Sequence, residues 1–157
     1  MKRALLYVTI TAYLLLGCLS VHAQEMSAKS LSAIIQAEVP VKFGYVDNTE
    51  YCIQYDLKGL FGVDDSHIVV CADATNFNEI GVFHVEGAAN TKRCAKQLSE
   101  YLKQRKTRFQ NGVVYDINEY PKFENAKVTV IGQYVIYTIL TPSHTTKAIR
   151  AAEVALK

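Results

Sequence analysis

Apolar and polar positions along the chain repeat with two periods, and the switches between them mark out the elements. From Ser27 to Glu38, Ala28, Leu31, Ile34 and Ile35 recur at helical spacing, Ser27 stands where a cap belongs, and Pro40 stops the helix beyond Val39. Val41–Tyr55 mixes β-branched and aromatic residues with Gly44 and an Asp47-Asn48 turn signal, and its pattern assigns it to neither state. Asp56–Phe61 reads as a short helix closed by Gly62, since glycine tolerates the left-handed conformation at a helix end. His67–Ala72 and Glu79–Val85 are compact β-branched runs, and the polar, turn-rich Ala72–Asn78 between them makes a hairpin. Ala88–Gln110 carries the strongest helical signal. Its Cys94, Leu98, Tyr101, Leu102 and Phe109 form one apolar stripe, and lysines and arginines fill the rest. Val113–Asn125, which contains Pro121, reads as a loop or short irregular element. Lys127–Ile131 and Tyr134–Leu140 flank Gly132-Gln133, a two-residue link with the chemistry of a type II′ hairpin turn. Pro142 opens a last helix through Ala148, Ile149, Ala152 and Leu156.

The order α-ββ-α-ββ-α implies an α+β fold: an antiparallel sheet of two hairpins, about four strands, covered on one face by helices. Asn90-Thr91-Lys92-Arg93 and Thr145-Thr146-Lys147 sit at similar places in the two ββα units, an identity too thin to establish a duplication. The length of 157 residues suits one domain, and no low-complexity linker interrupts it.

The first residues read as an export signal. Lys2 and Arg3 are followed by Ala4–Leu16, 13 residues without a charge. A membrane-spanning helix needs about 20 such residues, whereas this run has the length of a signal-peptide core. Two exits are open. Val21-His22-Ala23 before Gln24 suits soluble signal peptidase, giving a signal of residues 1–23 and a single α+β domain of residues 24–157. Leu15-Leu16-Gly17-Cys18 resembles a lipobox, which would remove residues 1–17 and lipidate Cys18. Leu16 and Leu19 stand there where small residues are commoner.

Removal of the signal changes the charge. The chain has 17 basic and 15 acidic residues, but Lys2 and Arg3 leave and no acid precedes Glu25, so the mature balance is 15 against 15. A neutral domain gives no electrostatic case for nucleic acid as a partner. Cys52, Cys71 and Cys94 remain, an odd set that leaves at least one thiol unpaired: either one disulfide with a free thiol, or three buried apolar thiols, which free cysteine's preference for burial favours.

Candidate chemistry is sparse. Lys92, Arg93, Lys96, Lys103, Arg105, Lys106 and Arg108 on the long helix face a single acid there, Glu100. They make either a binding face for anionic headgroups, wall polymers or an acidic protein, or a solvated surface. Tyr115, Tyr120 and Phe123 make either a sugar-stacking loop or a lid folded over the core. His67, His84 and His144 lack the i, i+4 spacing of a helical zinc site, and Asp116-Ile117-Asn118 begins a calcium loop that fails at Tyr120 and Pro121. No metal, cofactor or catalytic residue is assigned. There is no Gly-x-Ser-x-Gly elbow and no phosphate-cradling glycine loop. Cys71 and His84 lie on neighbouring strands and are the one pair that could form a thiol–imidazole couple.

From Asp56 onward the chain resembles the DUF4358 family, a domain of unknown function. The resemblance rests on Leu60-Phe61-Gly62-Val63-Asp64, Glu79-Ile80-Gly81-Val82-Phe83, the Lys/Gln-rich helix ending in Phe109, and the hairpin from Val128 to Thr138 around Gly132. It departs by a longer, more aromatic stretch between Phe109 and Ala126 and by the irregular lipobox. The resemblance implies a small exported protein or lipoprotein of Gram-positive, largely clostridial bacteria, and lends no catalytic residue. The expected function is therefore a non-enzymatic binding or interaction module at the cell envelope. It would be secreted or lipid-anchored on the outer face of the cytoplasmic membrane, and would meet an envelope or extracellular partner through its helix face, aromatic loop or sheet edge. The alternative is a thiol-dependent enzyme or redox factor using Cys71 or Cys94. Oligomeric state is left open.

Overall fold

The structure, a computed structural model, describes residues 26–112 and 116–157. The N-terminal segment read as an export signal, Cys18 and Tyr115 lie outside them. Helix α1 (Ala28–Glu38) starts where the Ser27 hydroxyl accepts from the Ser30 N–H. A three-residue strand β1 (Tyr45–Asp47) leads into a helical turn α2 (Thr49–Tyr51), which continues as a π-helical segment, Cys52–Asp56. Strands β2 (Val63–Cys71) and β3 (Glu79–Val85) form the first hairpin, followed by the 23-residue α3 (Ala88–Gln110) and the short α4 (Tyr120–Glu124). Strands β4 (Lys127–Ile131) and β5 (Tyr134–Ile139) form the second hairpin, whose turn needs Gly132 because its φ is 59°. Helix α5 (Pro142–Ala155) closes the chain and is capped by the Thr141 hydroxyl.

The five strands form one antiparallel sheet in the order β1-β2-β3-β5-β4. This makes the α+β class as expected and corrects its details. The sheet has a fifth strand, β1, which the mixed pattern of Val41–Tyr55 concealed. The short helical segment lies at 49–56 and not at Asp56–Phe61, where the chain only turns before Gly62 leads it into β2. The irregular stretch before β4 holds α4, with Pro121 in its first turn, where a missing N–H costs nothing.

Helices also cover both faces of the sheet, not one. On one face Ile68, Phe83, Val85, Val135, Tyr137 and Ile139 pack against Cys94, Leu98, Tyr101, Leu102 and Phe109 of α3. On the other, Val69, Ile80, Val82, Tyr134, Ile136 and Leu140 pack against Leu31 and Ile35 of α1 and Ala148 and Ala152 of α5. Strands β3 and β5 are buried at every position. Their unbroken apolar runs are what a doubly covered strand requires, where a half-exposed one would alternate. Among the described residues no helix is long and apolar enough to cross a membrane.

Candidate functional site

A carboxylate sits deep within the largely apolar interior. Glu79 opens β3 and is 1% exposed. Its Oε1 accepts 2.6 Å hydrogen bonds from the hydroxyls of Tyr101 on α3 and Tyr137 on β5, and its Oε2 accepts from Arg105 at 2.7 Å. A buried polar group is tolerable only when its hydrogen bonds are met, and both carboxyl oxygens have donors. Burial pushes both tyrosine hydroxyls well above their ordinary pKa, and Glu79 beside them adds to this. Burial opposes the charge on Arg105, yet Glu79 outweighs it and holds the guanidinium above its ordinary value. The cluster pins α3 to the sheet.

Outside this pin runs a groove between α3 and the segment that follows the π-helix. Gln97 fixes that segment at two points: its Oε1 accepts from the Phe61 N–H at 3.2 Å and its Nε2 donates to the Gly59 carbonyl at 3.1 Å. The Arg93 guanidinium lies 5.3 Å over the Phe61 ring. The resulting cleft has a volume of about 480 Å³, with an apolar floor of Leu57, Leu60, Phe61 and Tyr101 and Arg93, Lys96 and Gln104 along one wall. This size lies within the ~300–1,000 Å³ of small-ligand sites. The irregular π-helical segment forms its far edge, a local geometry that recurs at functional sites. Cys52 in that segment is 2% exposed, and its sulfur accepts from Asn48 at 3.2 Å. Burial, with Glu79 and Asp56 adding to it, pushes the Cys52 thiol up to about 11.

The seven basic residues of α3 do not act as one face. Arg105 is held by Glu79, Arg108 by Asp56 at 2.7 Å, Lys103 by Glu100 at 2.8 Å and Lys106 by Glu124 at 3.2 Å. Lys92, Arg93 and Lys96 form no ion pair among the described residues, and Arg93 and Lys96 line the groove. Lys58 on its other side is likewise unpaired among them, while the two acids of the lining, Asp56 and Glu100, already hold cations. The groove thus presents three cations outside any ion pair among the described residues, Lys58, Arg93 and Lys96, above an apolar floor.

The other sequence candidates are placed apart from it. Phe123 is buried, stacked on Phe109 with ring centroids 4.4 Å apart. Tyr120 is half-buried beneath Lys106, and its hydroxyl accepts from Gln110 at 2.9 Å. Lys122 is also buried, and it ties α4 to the first hairpin through Glu119 and Asn76. Cys71 lies at the Asn78 end of its hairpin and His84 at the Asp65 end, so the thiol–imidazole couple is not formed. His84 instead contacts the Asp64 carboxyl at 2.8 Å, and His67 lies 3.4 Å from Asp47. Cys71 and Cys94 are buried, and burial alone pushes the Cys94 thiol up to about 11. Among the described residues no three His, Cys, Asp or Glu side chains stand together as a metal site would require.

Sequence reading missed Glu79 and the groove. The one signal for Glu79 was a carboxyl opening an otherwise apolar strand. Comparison with known proteins gives a match of residues 47–140 to one family model, described as a domain of unknown function, DUF4358. No curated protein and no solved structure matches.

Proposed function

The chain belongs to the DUF4358 family, domains of unknown function, and from that premise we propose that it is a non-enzymatic binding module acting outside the cytoplasm, with the groove along α3 as its ligand site. The observation that carries this reading is the pairing of an apolar floor of Leu57, Leu60 and Phe61 with the unpaired cations Lys58, Arg93 and Lys96. Such a site selects a ligand with an apolar or aromatic body and one anionic group. The body displaces water from the floor, and the anion replaces the water around the rim cations. The buried thiols support a binding role over the thiol-based alternative, because nucleophilic cysteines need exposure: Cys71 and Cys94 are both buried, and burial raises the Cys94 thiol where a nucleophile needs it lowered. Lys2, Arg3 and the uncharged Ala4–Leu16 support the address.

The test uses 8-anilinonaphthalene-1-sulfonate, an aromatic anion, titrated into the isotope-labelled protein. Amide shifts should concentrate on residues 57–61 and on Arg93, Lys96 and Gln97. The double variant R93E/K96E should bind about tenfold more weakly, as the loss of two rim contacts of about 0.7 kcal/mol each gives. Shifts spread over the surface, or an affinity untouched by the double variant, would remove the groove from consideration. Intact mass from membrane and soluble fractions of the native host tests the address. A diacylated chain starting at Cys18 or a lipid-free chain starting at Gln24 supports export, and an unprocessed cytoplasmic chain refutes it.

A further inference from the structure

The two edges of the sheet are built differently. Strand β1 has three residues and ends at once in a turn, where Asp47 accepts from the Thr49 N–H at 2.9 Å and from its hydroxyl at 2.6 Å. A short strand ended by such a turn is a protected edge. Strand β4 has five residues, Lys127-Val128-Thr129-Val130-Ile131, the last four of them β-branched. It has no proline, and its register against β5 is continuous from Lys127 to Ile131, so no bulge bends it away from a neighbour. Lys127 at one end is its single charge.

The hairpin geometry decides which backbone groups of β4 face outward. The two-residue turn makes Ile131 and Tyr134 a hydrogen-bonded pair, and such pairs alternate along an antiparallel ladder. Lys127, Thr129 and Ile131 therefore point their N–H and C=O groups at β5. Val128 and Val130 point theirs outward, where no partner is recorded among the described residues. The side chain of Val130 is also 48% exposed, large for a valine on the helix-covered face of a sheet.

We infer that the chain pairs with a second copy of itself along β4, antiparallel about a two-fold axis through Thr129, joining two five-stranded sheets into one of ten. This inference is independent of the groove on α3. The outward set is self-complementary in that register and overlaps fully. Val128 meets the partner's Val130 and Val130 meets the partner's Val128, so all four outward groups of each strand are used. Val130 gains an apolar neighbour. Thr129 faces its own copy, a favourable cross-strand pair, and the two Lys127 side chains lie at opposite ends about 13 Å apart. A second copy is the partner that the side chains fit: Val128-Thr129-Val130 reads the same in both directions, so across the axis each valine meets a valine and each threonine a threonine.

Cysteine cross-linking of the full chain expressed in its host tests the register. Paired Thr129 residues would have Cα atoms about 4.5 Å apart, within the ~4.4–6.8 Å span of a disulfide. T129C should therefore form a covalent dimer under oxidised glutathione, and K127C should not. The unsubstituted chain sets the background from Cys18, Cys52, Cys71 and Cys94. V130P removes one outward N–H and leaves the β5 ladder intact. It should abolish both the dimer mass in sedimentation and the T129C cross-link while leaving circular dichroism unchanged. If V130P does not fold, the contrast between T129C and K127C still decides. A monomer mass at every concentration, equal cross-linking of the two variants, or capture of a different chain by T129C would overturn the inference.

Discussion

Gly81 lies directly opposite Tyr137 in the β3–β5 ladder, and the tyrosine ring folds over it. A Cβ added at Gly81 would sit 2.1 Å from Cε1, 2.6 Å from Cζ and 2.7 Å from Cδ1 of that ring. Carbon atoms in contact prefer about 3.5–4.0 Å, so Gly81→Ala demands that the ring retreat by more than about 1 Å. The ring has nowhere to go. Tyr137 is fully buried, stacked near Phe83, edge-on to Tyr101 and tied to Glu79 by its hydroxyl. Overpacking a core of this kind costs about 1–3 kcal/mol. Pulling the hydroxyl away from the Glu79 carboxyl adds about 1.5–3 kcal/mol, the worth of a hydrogen bond to a charged group. The sum, about 2.5–6 kcal/mol, is a large share of a typical domain stability of about 5–15 kcal/mol. Urea denaturation should show Gly81→Ala at a much lower midpoint, or already unfolded in buffer. Tyr137→Ala alone should cost about 3–5 kcal/mol as a large-to-small core change. The double variant should be no less stable than Tyr137→Ala, because the new methyl group enters space the ring has left, and the two changes should be strongly non-additive. A Gly81→Ala protein within about 1 kcal/mol of the parent would refute the close approach and the rigidity of the ring.

Two further outcomes follow from the same interior. Arg105→Ala leaves the buried Glu79 carboxyl without its cation and should cost about 3 kcal/mol by urea titration, the lower end for a broken buried pair because the two tyrosines still donate. Lys103→Ala, which breaks only the exposed pair with Glu100, should not move the midpoint. Stability should also fall as pH rises from about 9 towards about 11. Cys52 and Cys94 are shifted from an ordinary 9.0 to about 11, so over that range the unfolded chain has released protons that the folded chain still holds, and rising pH favours unfolding. A melting temperature that stays level from pH 8 to pH 11 would contradict this.

The elements legible in the sequence were those whose cause is local. Glu79–Val85 and Ala88–Gln110 were read with their observed boundaries, and the cap at Ser27 and the opening of the last helix at Pro142 stand where the sequence put them. What escaped depends on partners far along the chain. β1 has only three residues, too few to show a period, and it is a strand because Tyr45, Val46 and Asp47 pair with Cys71, Val70 and Val69. The helical segment was placed late because Asp47 and the buried Cys52 fix its start, and neither is a periodic signal. Glu79 meets Tyr101, Arg105 and Tyr137 across separations of 22, 26 and 58 residues. The basic helix looked like a single surface because the acids that divide it, Asp56, Glu79 and Glu124, belong to other elements.

The two-sided packing of the sheet bears on where this unit begins and ends. The stretch that matches the family holds the last four strands and α3 but neither α1 nor α5. Cut to that length, the polypeptide would keep one interior and lay Val69, Ile80, Val82, Tyr134 and Ile136 bare to water, a continuous greasy plate prone to aggregation. The boundary of recognisable ancestry is therefore narrower than the boundary of autonomous folding. The flanking helices need supply only small and branched apolar residues at helical spacing, a demand that many sequences meet. The two helices are thus loosely specified in sequence yet indispensable to the interior they cover.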